Sequence, residues 1–265
     1  MGKRRKIITI PPDYYKRVHE ERYKAILGSG ASFREKDMQP CVAEAWQEFR
    51  KFSGLDAGSK GIELGCGTGI NTITLSLEGF NMTGLDISPT AIKKACELGT
   101  QKGSDARFEV GDMFSTRFPD SCFDFVVNIW ALHVIAEQPM RDKHLRECAR
   151  ILKPGGWVFL HNESSEQDVF NPEKEIEIQK KGGGEEETDI PLRTQVFKRP
   201  DGSEIEVSFP GHMPDGLSGR RSLREHHEEL KRAGFEIARS WEGFMQQSAD
   251  APSNRMMVAF ARKPV

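Results

Sequence analysis

The stretch Ile62-Glu63-Leu64-Gly65-Cys66-Gly67-Thr68-Gly69-Ile70 places three glycines at alternate positions directly after a short apolar run. A turn with almost no side chains lets backbone come close to a ligand and leaves the amides of the following helix pointing at it. Spacing narrows the choice of ligand. A dinucleotide fingerprint G-x-G-x-x-G requires glycine or alanine at position 70, where Ile70 stands. Beyond the turn, Asp86 and Asp112 each close a short apolar run. His133 supplies an imidazole that titrates in the range useful to a general base, or else it is a hydrogen-bonded histidine beside the core. His144 and Cys148 share a helix face but have no third ligand nearby, so no metal site is expected. His226 and His227 are adjacent on a helix and point apart.

The elements that must position these residues follow from pattern. Residues 39–53 carry Val42, Ala45, Trp46, Phe49 and Phe52 at helical spacing and end near Gly54. From residue 59 short apolar runs alternate with helical segments, the sign of a parallel sheet covered on both faces. Strands are expected at about 59–64, 81–86, 107–110, 123–130 and 156–161. Ser88-Pro89 starts a helix that Gly99 is expected to close. Leu145, Cys148, Ala149 and Leu152 form an apolar stripe that stops at Lys153-Pro154-Gly155-Gly156.

Residues 163–189 hold ten acids against three lysines and read as an insertion. Pro200-Asp201-Gly202 between two alternating runs predicts a hairpin. Ser222 and Glu225 predict a capping box, and two last strands are expected near 235–241 and 255–262. The first 24 residues carry eight Lys or Arg against three acids and read as a solvated leader and first helix, with a nucleic-acid arm as the alternative.

The segment "ELGCGTG", with Glu63 two residues before Gly65, resembles the first motif of the class I S-adenosylmethionine-dependent methyltransferases, and the resemblance runs across residues 59–162. It implies a Rossmann-like, doubly wound α/β sheet of seven strands. The sheet is mostly parallel with an antiparallel C-terminal edge pair, and helices cover both faces. It also implies S-adenosyl-L-methionine as cofactor and S-adenosyl-L-homocysteine as product. Glu63, Gly65, Cys66, Gly67 and Gly69 would surround the methionine end. Asp86, with Ile87, would accept the ribose hydroxyls, and Asp112 and Met113 would hold the adenine. Asn128 and Ile129 would offer backbone near the methionine portion, while Trp130 and His133 would line the transfer pocket.

One domain over 1–265 is expected, divided into N-terminal helices and lid (1–54), cofactor core (59–162), insertion or substrate cap (163–219) and a C-terminal helix with a strand pair (220–265). Formal net charge is -2, with 38 basic and 40 acidic residues, which argues against a dedicated nucleic-acid binder. Five scattered cysteines without a C-x-x-C pair imply a reducing, cytoplasmic setting. No apolar run has the length of a membrane span.

A small-molecule substrate is expected, methylated at S, N or O, since "NIWA" stands where amide and adenine methylation would need a Pro-Pro-Tyr motif. A looser resemblance, over "GSGASFREKDMQP" and the segment from Ala131, is to the thiopurine, thiol and tellurite branch, where a segment ahead of the core lids the site. Tyr14, Tyr15, Phe33, Phe170 and Met213 are candidate substrate contacts. The alternatives are a macromolecular methyltransferase docking through Lys3 to Lys6, and a module that binds the cofactor without turnover. Oligomeric state is not readable from the sequence.

Overall fold

A computed structural model describes residues 10, 13–33, 37–165, 192–212, 218–245 and 254–265. Helices α1 (Tyr14–Gly28) and α2 (Pro40–Ser53) precede β1 (Lys60–Leu64), α3 (Ile70–Leu77), β2 (Asn81–Asp86), α4 (Pro89–Lys102), β3 (Arg107–Val110) and β4 (Phe123–Ile129). There follow α5 (Gln138–Ile151), β5 (Leu152–Glu163), the hairpin β6 (Leu192–Lys198) and β7 (Glu204–Pro210), α6 (Leu223–Arg232), β8 (Glu236–Met245) and β9 (Asn254–Arg262). The main sheet has seven strands in the order β3-β2-β1-β4-β5-β9-β8. Strands β1 to β5 are parallel, and β9 runs antiparallel to both β5 and β8. Strand order reverses between β1 and β4, so their carboxyl ends open a crevice there.

Successive residues of a strand face opposite sides, and β5 divides accordingly. Val158 and Leu160 join Ile62, Leu64, Leu145 and Cys148 in one core layer, while Trp157 and Phe159 point to the layer beneath α2. In that second layer Trp46 lies with ring centroids 5.2 Å from Phe49, 5.4 Å from Phe80 and 5.7 Å from Phe125. Gly61 on β1 is required there, because a Cβ would lie 2.2 Å from the Phe125 ring.

Local signals mostly act as their chemistry dictates. Ser88 caps α4 by accepting from Ala91 N–H, and Ser222 and Glu225 complete a capping box on α6. Gly99 does not close α4. It packs inside the helix against Phe108, and the helix runs on to Gly103, whose φ of 69° supplies the left-handed cap. The hairpin turns at Gly202, with Ser203 N–H donating to Asp201. It forms its own two-stranded sheet, whose Phe197, Val207 and Phe209 pack with Ile26 of α1 and Ala31.

That packing corrects the expectation of a solvated first helix. Tyr14, Val18 and Ile26 are fully buried, because one face of α1 lies on the core and on the hairpin. The basic cluster from Lys3 to Lys6, Phe170, Met213 and nearly all of the acidic segment lie outside the described residues.

Beyond the carboxyl end of β4, a short 3-10 turn (Leu132–Val134) is braced by Arg141 of α5. Arg141 Nε and Nη2 donate to the two carboxylate oxygens of Glu229 at 2.6 and 2.8 Å, and Nη1 donates to the carbonyls of Leu132, Ile135 and Gly219. Burial works against the Glu229 carboxylate, but the guanidinium beside it holds its pKa well below the usual range. Both side chains are essentially inaccessible. Glu229→Gln leaves this guanidinium with an uncompensated buried charge, and we expect it to cost about 3 kcal/mol or more in urea unfolding at pH 7. Because the folded pKa is depressed, this contribution is present above the unfolded carboxylate value and is lost as pH falls through the folded one. The deficit of the variant should therefore shrink in acid; an equal midpoint at pH 7 would show that the pair does not stabilise the fold.

Candidate active site

The glycine turn sits at the carboxyl end of β1 and runs into α3. Gly65, Gly67 and Gly69 all have positive φ (81°, 55° and 81°), a region that side chains disfavour. Each glycine is needed for a different neighbour. A Cβ on Gly65 would lie 2.6 Å from Ala131 Cβ, and one on Gly67 would lie 2.4 Å from Tyr23 Oη. One on Gly69 would strike Phe108 and Ala95 at 2.6 and 2.8 Å, so this third glycine serves packing behind the turn.

Asp86, 7% exposed at the end of β2, closes the turn from the other side. One carboxylate oxygen accepts from Gly67 N–H at 2.8 Å and the other from Ser88 N–H at 2.9 Å. Each oxygen has a second lone pair for a ligand. Burial pushes its pKa up against these hydrogen bonds. Glu63, also buried, accepts from Thr72 Oγ1 and from Asn71 Nδ2 (3.0 Å), which ties β1 to the first turn of α3; burial raises its pKa to about 7.

A single cavity of about 1040 Å³ connects these groups with the end of β4. Among the residues singled out by sequence, it is lined by Glu63, Gly65, Cys66, Gly67, Asp86, Ile87, Asp112, Met113, Ile129, Trp130 and His133. Asp112 is exposed to it while its Oδ1 accepts from Phe114 N–H at 2.8 Å. Trp130 has φ 56°, unusual for a residue with a side chain, and its N–H donates to His161 O at 2.9 Å. A bulky residue held in the left-handed region costs about 1 to 3 kcal/mol, a kind of strain concentrated at functional sites.

Two expected site residues do not line the cavity. Gly69 lies behind the turn, and Asn128 is fully buried with its side chain engaged by His144 Nε2 (2.9 Å), Leu132 N–H (3.1 Å) and Asn162 Nδ2 (3.2 Å). His144 donates in turn through Nδ1 to Met113 O at 3.2 Å, and burial lowers its pKa to about 4. Of the candidate substrate contacts, Tyr15 and Phe33 line the cavity, whereas Tyr14 is buried against Tyr15.

Beyond Tyr15 and Phe33, the individual residues of the outer wall were missed in the sequence: His19, Arg22 and Tyr23 come from α1, and Arg193, Thr194, Gln195 and Phe209 from the hairpin. The spacing of Tyr15, His19, Arg22 and Tyr23 along one helix face was the available signal. Glu20, on the same helix, latches α1 to the start of α4. Its carboxylate accepts from Ser88 Oγ at 2.6 Å, Thr90 Oγ1 at 2.7 Å and Thr90 N–H at 3.1 Å.

Residues 62–160 match a family described as a methyltransferase domain. The chain is 34% identical over 122 residues to 2-methyl-6-phytyl-1,4-hydroquinone methyltransferase of Synechocystis, covering 44% of this chain and 37% of that protein. It is 32% identical over 106 residues to the ubiquinone biosynthesis O-methyltransferase of Pseudomonas aeruginosa, covering 39% and 44% respectively. The chain thus spans less than half the length of these curated relatives. In overall fold it resembles the 1,6-didemethyltoxoflavin-N1-methyltransferase of Burkholderia thailandensis, solved with 1,6-didemethyltoxoflavin and S-adenosylhomocysteine bound, at a TM-score of 0.55 and 14% identity, covering 85% of this chain and 79% of that one. Among the described residues no cluster of three or more metal-ligating side chains occurs, and no helix is long and apolar enough to cross a membrane.

The neutral His144 beneath the cavity yields a pH test. Its folded pKa lies below the unfolded value, so its contribution is intact above about pH 6.5 and lost as pH falls toward 4. His144→Gln can keep both hydrogen bonds without titrating. Between pH 7 and pH 5 the variant should lose about 2 kcal/mol less stability than the native chain, by denaturant titration. Parallel losses would mean that burial does not lower the His144 pKa in the folded chain.

Proposed function

We propose that the protein is an S-adenosylmethionine-dependent methyltransferase that transfers a methyl group to a sulfur, nitrogen or oxygen of a small molecule, with S-adenosylhomocysteine as product. The observation that carries this reading is the glycine turn closed by the Asp86 carboxylate in the cavity that also holds His133 and Trp130. The residues fit the cofactor. Backbone at Gly65 and Gly67 presents no side chain of its own to a ligand, and the unused lone pairs of Asp86 suit a vicinal pair of ribose hydroxyls. Ile87 with Met113 offers apolar and thioether surface for a flat base, with Asp112 beside it as acceptor for an amino group. Glu63 and Ile129 border the end where a cationic methionine portion would lie.

The cofactor supplies a methyl group already activated on a sulfonium. The chain has to bring an acceptor into line behind it and exclude water, and positioning of this kind supplies on the order of 7 to 11 kcal/mol. Helix α1, Phe33 and the β6–β7 hairpin form the wall that would exclude water. Trp130 would pack on the acceptor, and His133 would take its proton when the nucleophile is neutral. A small acceptor is supported by the enclosing wall and by relatives named as a hydroquinone methyltransferase and a ubiquinone biosynthesis O-methyltransferase. Five free cysteines accord with a cytoplasmic place of action.

Incubation with methyl-labelled S-adenosylmethionine and native extract, followed by mass spectrometry, tests the assignment. Label on a small molecule is expected. Label on RNA or protein would replace the acceptor class, and binding without any label would refute catalysis. Asp86→Ala should weaken cofactor affinity roughly 100-fold or more by calorimetry, since it removes a charged acceptor from both the ligand and the turn. Unchanged affinity would remove Asp86 from the site.

A further inference from the structure

A chain of buried amides leads from the adenine side of the cavity to His133, and its polarity can be read from end to end. Leu132 N–H lies 3.1 Å from Asn128 Oδ1 and 3.1 Å from Asn162 Oδ1, and His133 N–H lies 3.4 Å from the same Asn162 oxygen. Backbone N–H groups only donate, so both amides must present oxygen to the turn. A flip of either would face NH2 against N–H in a site with no accessible surface, since Asn128 and Asn162 are both fully buried. Asn162 Nδ2 then donates to Asn128 Oδ1 at 3.2 Å, and Asn128 Nδ2 donates to His144 Nε2 at 2.9 Å. His144 is left with its proton on Nδ1, where Met113 O accepts it.

At the other end, the partner of Asn162 Oδ1 is His133 Nδ1 at 3.4 Å. A carbonyl oxygen cannot donate, so Nδ1 carries the proton. In the neutral ring the lone pair then belongs to Nε2.

Resting on the methyltransferase reading, we propose that Asn162 is a positioning residue: its carbonyl holds His133 in the Nδ1–H tautomer, leaving Nε2 to take the proton of a neutral amine, alcohol or phenol acceptor. As the bond between the acceptor heteroatom and the methyl carbon forms, the carbon–sulfur bond breaks with its pair going to sulfur. The acceptor's proton passes to His133 Nε2. The imidazolium keeps Nδ1–H on Asn162 and later returns the proton to solvent. Asparagine suits this place better than aspartate. A carboxylate would charge a buried site and would deprive Asn128 Oδ1 of its donor. The sequence motif around His133 contains no hint of the arrangement, because Asn162 stands on the neighbouring strand 29 residues away.

The test begins on the native chain, without turnover. Long-range nitrogen–proton correlation spectra, with His133 assigned by its disappearance in His133→Gln, should show a protonated Nδ1 and an unprotonated Nε2 in the neutral ring. The opposite tautomer overturns the proposal. In Asn162→Ala the tautomer should become mixed, and kcat on the acceptor recovered by labelling should fall roughly 10- to 100-fold, while the KM for S-adenosylmethionine stays within about 3-fold.

A merely structural role predicts the same loss with or without His133. The proposal requires that adding Asn162→Ala to His133→Ala costs less than about 2-fold more. Asn162→Asp, which keeps an acceptor for Nδ1–H, should restore that tautomer; an unchanged tautomer in Asn162→Ala, or equal losses in both backgrounds, sinks the idea even if the variant folds less well. Calorimetric binding of S-adenosylmethionine to the native chain tests the underlying reading separately, since a failure there leaves the tautomer result standing.

Discussion

The arginine fork of Arg141 on Glu229 is the interaction on which the chemical end of this molecule depends. Three peptide carbonyls, those of Leu132, Ile135 and Gly219, converge on one guanidinium nitrogen, while the remaining donors are occupied by the carboxylate. Buried carbonyls of a short turn and a connecting segment would otherwise need water, and the buried fork replaces it. The cost of desolvating both ions means that such a pair adds less to net stability than its short distances suggest. What it contributes is geometry: α5, α6, the Leu132–Val134 turn and the approach of Gly219 are set relative to each other by one planar group. A Cβ on Gly219 would lie 2.2 Å from His133 O, which shows how closely these segments meet.

Two kinds of support therefore converge on the cavity. The inner half is made by strand ends and by a turn whose amides are held by Asp86, in the crevice that a doubly wound sheet provides. The outer half is made by α1 and the hairpin, joined to the core through Glu20 and through packing around Phe209 and Ile26. Beneath both runs the neutral polar chain of His144, Asn128 and Asn162. A buried network of this type is stabilising only when every member is satisfied, and here each amide has its oxygen fixed by a backbone N–H. His144 stays neutral for the same reason, since a second proton would leave it facing the Asn128 amide donor.

Much of the inner half was legible because it depends on local chemistry. The alternate glycines, the acids at strand ends and the serine caps act within a few residues of themselves, and the alternation of strand and helix announces a parallel sheet. Residues whose role depends on distant partners were misread. Asn128 was expected to offer backbone near the cofactor, and the sequence carried no sign that its side chain is a link in the polar chain. Gly99 was expected to end a helix and packs against Phe108 instead. The charges of α1 suggested solvent, although Tyr14, Val18 and Ile26 bury its other face.

By itself, then, the sequence determined the α/β sheet, the position of the cofactor-type turn and the acids around it, since short-range backbone sterics and period-two burial decide those features. Only the tertiary structure decided which outer residues wall the cavity and which nitrogen of His133 bears the proton. Those outcomes require Tyr23 to meet Gly67, Glu20 to meet Ser88, and Asn162 to meet His133 across strands and long intervals of chain. No local pattern encodes such encounters, because they arise from packing of whole elements.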